Sequence, residues 1–158
     1  MSSWKIRHEA RKANRGLDLG PNPSLHALQS WIEAKCGRPI IVMELATLRG
    51  DDLCGWWVLY EGINVVVHAL VRSTWHLQQI ILHEFAHLIL GHQFTATSLE
   101  LMHLPGFPEP PLMTLGRSSY VDDAEATAEY LADLLTARIA RHTPDATGDP
   151  AGFDQVFG

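Results

Sequence analysis

The chain is 158 residues long, 46% hydrophobic and 19% charged, which excludes an intrinsically disordered chain and fits one globular domain. Twelve basic against eighteen acidic side chains leave a formal charge of −6, and that balance argues against a nucleic-acid-binding surface, which needs clustered Lys and Arg. No apolar run reaches the ~20 residues of a membrane span, the first residues lack the apolar core of a signal peptide, and a cytoplasmic protein is expected.

The opening segment carries Lys5, Arg7, Arg11, Lys12 and Arg15, read as a short solvated helix in a loose basic start. "LDLGPNP" then signals a turn. Ser24 is a plausible N-cap for a helix running to about Cys36, with Leu25, Leu28, Trp31 and Ile32 on one face and Gly37 as its C-terminal cap. "RPIIVMEL" reads as a strand, and "GWWVLYEGINVVVHAL" as two strands joined near Glu61–Gly62. Cys36 and Cys54 lie outside any CxxC pair; they are read as small buried apolar residues, not as a disulfide framework. The segment from about Ser73 to Leu90 fits a helix that is apolar nearly all round, hence central and buried, with Gly91 at its end. Residues 93 to 118, with the Pro-rich "LPGFPEPPL", read as a long loop. A last helix is expected from Ser118 or Ser119 to about His142, followed by a loose tail. These elements predict an α+β fold, a small, mostly antiparallel sheet packed on the central helix, in a single domain over 1–158 with its core at about 24–142.

The central helix contains "HEFAH". At 100° per residue, His83 and His87 lie ~40° apart around the axis and one turn apart along it, so their imidazoles can share one zinc ion at ~2.0–2.1 Å. Glu84 sits beside the pair, near a water on such an ion without entering its ligand shell. His-Glu-x-x-His on a helix is the zinc metallopeptidase pattern, with the Glu as general base. The alternative is two core histidines bonded to backbone, with Glu84 reaching solvent. A catalytic zinc keeps three protein ligands and an open position. His92 follows His87 by five residues, beyond Gly91, and is read as a helix-end residue facing the negative end of the helix dipole.

A third ligand is sought in "DDAEATAEYLADLL". Its acids are Asp122, Asp123, Glu125, Glu129 and Asp133. Val121, Ala124, Ala128, Leu131, Ala132, Leu135 and Ile139 form one apolar face. Glu125 projects about 65° from the centre of that face, against about 105° for Glu129 and about 125° for Asp122. Glu125 is therefore the acid nearest the core; the alternative is that all five acids sit on a solvated face.

"LHEFAHLILGH" followed by "EATAEYLADLL" resembles the ImmA/IrrE family of small zinc metallopeptidases, which pairs an HExxH helix with a later E-x-x-A-x-x-(F/L)-A-x-x-L helix. The second pattern matches at Glu125, Ala128, Leu131, Ala132 and Leu135, with Leu131 where the family usually has Phe. The resemblance covers about residues 24 to 140. It implies a zincin-like fold, zinc bound by His83, His87 and Glu125, and Glu84 as catalytic base. It also implies a protein substrate that in several members is a helix-turn-helix repressor. No such domain is evident in this sequence, so a DNA-binding partner would be a separate chain.

The expected function is hydrolysis of a peptide bond in a protein partner. The alternative is a zinc-binding regulatory module that sequesters a transcriptional regulator without cutting it. His76, His103 and Tyr120 are candidates for a second oxyanion donor. The strands near Trp56–Tyr60 or Val65–Ala69 could pair with an extended substrate at a sheet edge.

Overall fold

The computed structural model describes residues 2–45, 55–92, 104–109, 113–116 and 122–142. In chain order these form α1 (Ser3–Arg15), α2 (Leu25–Cys36), β1 (Ile40–Glu44), β2 (Gly55–Tyr60), β3 (Ile63–His68), α3 (Thr74–Leu90), β4 (Met113–Gly116) and α4 (Asp122–His142). The helix caps are those the sequence indicates. Ser24 Oγ accepts the Ala27 N–H at 3.0 Å, and Ser73 Oγ accepts the His76 N–H at 3.3 Å, each satisfying a donor that the first helical turn leaves over. Gly37 ends α2 at φ 69°.

The sheet is four-stranded, in the order β1-β3-β2-β4. β1 runs parallel to β3, while β2 pairs antiparallel with both β3 and β4. Its mostly antiparallel character and the α+β class are as expected. Side chains alternate across the pleat, and both faces are covered. Trp57 and Val66 join the helices in the main core; Val58, Tyr60, Val65 and Val67 form a second cluster with Leu104 on the opposite face. Phe107 of the Pro-rich segment stacks on Tyr60 with ring centroids 4.5 Å apart. Burial on both sides explains the unbroken "NVVV" run in β3.

Four expectations need correcting. The long loop over 93–118 contains β4, whose "MTLG" is too short to show alternation and is held by its register opposite Trp56–Leu59. That pairing places β2 and β3 inside the sheet, so neither offers an edge to a substrate; among the described residues the outer strands are β1 and β4. The basic start is not loose, and the core begins before residue 24. Ala10, Leu17 and Leu19 are buried in the main core. Arg138 on α4 donates to the Asn14 and Leu17 carbonyls at 2.9 and 2.7 Å, capping the C-terminal end of α1 with a cation where the dipole favours one. Cys36, finally, is exposed; Cys54, His103, Tyr120, the start of the last helix and the tail lie outside the described residues.

The packing of α3 on α4 positions the site. Leu82, Phe85 and Ala86 on α3 and Ala128, Leu131 and Leu135 on α4 are all 0% exposed. Each large apolar side chain so buried is worth about 1.5–3 kcal/mol. Gln79 donates to Thr136 Oγ1 at 2.9 Å, tying the helices together one turn before His83.

Candidate metal centre

The apolar face of α4 meets α3 as projected, and Glu125 is carried to the edge of that seam. His83 Nε2 lies 3.1 Å from His87 Nε2 and 3.1 Å from Glu125 Oε2, and His87 Nε2 lies 3.3 Å from Glu125 Oε1. Two donors bound to one tetrahedral ion at ~2.0–2.1 Å stand ~3.3–3.4 Å apart. The His83–His87 separation is close to such an edge; Glu125 reaches each imidazole with a different oxygen, and one ligand atom from each residue lies within 4.8 Å of the others. This His83, His87 and Glu125 group could hold a metal ion. The His87 side chain is 0% exposed, while His83 and Glu125 are each 19% exposed. One side of the trio therefore opens outward, as a site that must admit water or substrate requires.

Electrostatics favour the ligand state of His87 and of Glu125. Burial, opposed by the hydrogen bond to Glu125, lowers the His87 pKa to about 4, so its imidazole is neutral at pH 7. Burial alone would raise the Glu125 pKa, but hydrogen bonds from His83 and His87 overcome it and hold the carboxyl at about 2. A metal ligand needs a neutral imidazole and an ionised carboxylate.

The same shifts set a pH dependence for the metal-free protein. In the unfolded chain His87 takes up a proton near pH 6.5, whereas in the fold it resists until about pH 4. The stability this group contributes is thus fully present above pH 6.5 and lost as pH falls towards 4, on the order of 3 kcal/mol for a shift of that size. Glu125 acts in the same direction lower down, between its ordinary value of 4.5 and about 2. Urea unfolding of metal-free protein at pH 7 and pH 4.5 should show the loss, and His87→Gln should reduce it; an unchanged pH slope in that variant would refute the assignment.

Glu84 is 4% exposed and lines a cavity of about 190 Å³ with His83, His76, Gly55, Glu129 and Asp133. Gly55, the first residue of β2, makes room for it. A Cβ there would lie 2.7 Å from Ile80 Cγ2 and 3.2 Å from Glu84 Oε1, so any side chain at 55 would push on the glutamate or on the helix carrying it. Of the candidate oxyanion donors, His76 is at this cavity. Glu129 borders it but is exposed, while Glu125 is the α4 acid that joins the two histidines.

Two contributors were not assigned these roles from sequence. Gly55 shows in sequence only as a glycine before a strand, with no hint of what approaches it. His92 is not a ligand, but its role extends beyond the helix end: its Nδ1 lies 2.8 Å from Nδ1 of His87. Burial lowers its pKa, against the opposing charges of Glu125 and of Glu9 on α1. The signal available in sequence was the Gly91–His92 pair, because a left-handed glycine turns the next residue back over the helix end. Comparisons with protein-family models, with curated proteins and with solved structures find no match to this chain.

Proposed function

We propose that this chain is a zinc-dependent metallopeptidase of the zincin-like kind, hydrolysing a peptide bond in a protein partner. The resemblance to the ImmA/IrrE family points to a helix-turn-helix repressor on a separate chain as that partner. The observation that carries the reading is the convergence of His83, His87 and Glu125 at 3.1–3.3 Å, next to a cavity bordered by the buried carboxylate of Glu84. Two imidazoles and one carboxylate are a donor set that zinc takes in hydrolytic sites.

Zinc bound there would act as a Lewis acid and lower the pKa of a coordinated water from ~15.7 towards ~7. Glu84 accepts a proton from the attacking water and returns it to the departing amine nitrogen, so one carboxylate serves both halves of the reaction. The apolar residues around α3 keep His87 neutral and strengthen the pull of nearby charges on the developing oxyanion. With β2 and β3 both internal, an extended substrate would add along the outer side of β4, one strand from Gly55.

The test is removal and return of the metal. Protein stripped with a chelator should lose cleavage of a mixed peptide library, read by mass spectrometry, and regain it on addition of one equivalent of zinc. Cleavage that persists in stripped protein would sink the proposal.

A further inference from the structure

A histidine that coordinates through Nε2 must carry its single ring proton on Nδ1. Whatever accepts that proton fixes both the tautomer and the ring orientation. The requirement is sharpest for His87, whose side chain is 0% exposed and so has little access to solvent for this purpose. At its Nδ1 stands His92 Nδ1, 2.8 Å away, with ring centroids 5.1 Å apart and the planes tilted by 56°.

We infer that His92 is a positioning residue for the metal centre: its Nδ1 accepts the Nδ1–H of His87 and so leaves Nε2 of His87 free as a lone pair for a metal ion held with His83 and Glu125. The inference rests on His83, His87 and Glu125 being the ligands. In this arrangement the proton of His92 is on its own Nε2. The reverse arrangement, with His92 donating, puts the proton of His87 on Nε2 and occupies the ligand position. Both have the same net charge; a metal ion at Nε2 would displace the bond to Glu125 and require the proton on Nδ1, where His92 stands to accept it.

The backbone is built to deliver this contact. Gly91 adopts φ 68°, a left-handed conformation that costs any other L-residue roughly 1 kcal/mol or more. The turn it makes lets the His92 N–H donate to the His87 carbonyl at 3.1 Å. His92 thus grips the same residue twice, by main chain and by ring. A spacing of five residues, useless along a continuous helix, becomes a direct contact once the chain reverses. The geometry also excludes His92 as a ligand through this nitrogen, because it meets His87 at Nδ1, whereas the other two ligands converge on Nε2.

The test combines zinc affinity, by chelator competition, with imidazole 15N–1H spectra of the zinc-loaded protein, for wild type, His92→Phe and His92→Asn. Wild type should show the His87 Nδ1–H as a hydrogen-bonded signal protected from exchange with water. His92→Phe, which keeps a ring but no acceptor, should lose that protection and bind zinc about 10- to 100-fold more weakly. His92→Asn, whose carbonyl oxygen can replace Nδ1 as acceptor, should recover most of the loss. Unchanged affinity in His92→Phe at matched melting temperature overturns the inference; so does a loss in His92→Asn equal to that in His92→Phe. A wild-type His87 Nδ1–H that exchanges freely with water overturns it even if neither variant folds. Wild-type protein that takes up no zinc refutes the ligand reading, and the inference with it.

Discussion

Replacing Glu84 with Gln should leave zinc bound at full stoichiometry and reduce peptide hydrolysis by about a hundredfold to ten-thousandfold, the range associated with losing a general base. Gln has nearly the shape of Glu, so the 4%-exposed position and its approach to Gly55 are preserved. What disappears is the capacity to take a proton from water and hand it to the leaving nitrogen. Mass spectrometry on a peptide library reads the hydrolysis, and native mass spectrometry the metal content. Cleavage at the wild-type rate in Glu84→Gln would remove Glu84 from the mechanism. A wild-type protein that binds its partner, releases it intact, and behaves identically with Gln at 84 would instead be the sequestering module.

The parts of this molecule legible in its sequence are those fixed by local rules. Ser24, Ser73, Gly37 and Gly91 mark helix ends because capping depends on a few neighbouring atoms, and all four do so in the structure. Glu125 was reachable because helical projection converts sequence into direction, and the acid nearest the apolar face of α4 is the one that meets His83 and His87. The parts that were not legible depend on contacts between distant segments. "MTLG" becomes a strand only because β2 offers it a partner. The docking of α1 rests on Ala10 and on Arg138, more than a hundred residues apart, while the segment's own basic residues point to solvent exposure. Gly55 acquires its meaning from Ile80 and Glu84 on another element. His92 is a middle case: a local turn creates its contact with His87, but only the fold brings Glu125 to complete the group that His87 belongs to.

Glu125→Ala should weaken zinc binding by more than the ~10- to 100-fold that loss of an outer-sphere partner costs, and His87→Ala should do the same. The carboxylate brings the negative charge in a trio whose other two members are imidazoles, which carry no charge when they ligate. At 19% exposure that charge is only partly screened by water, so its attraction for a dication is stronger than a surface carboxylate would give. Glu125→Gln separates the two contributions, because it keeps an oxygen donor of the same reach and removes the charge; its affinity should fall between wild type and Glu125→Ala. Glu129→Ala is the control. Glu129 is an exposed acid one turn further along α4, bordering the cavity but outside the trio that could hold a metal ion, and its loss should leave zinc affinity within about twofold of wild type, as for an exposed charge. Zinc titration calorimetry on the four proteins makes the comparison, with melting temperatures of the metal-free forms to confirm folding. Full affinity in Glu125→Ala would exclude it as the third ligand, and a large loss in Glu129→Ala alone would transfer that role one turn along the same helix.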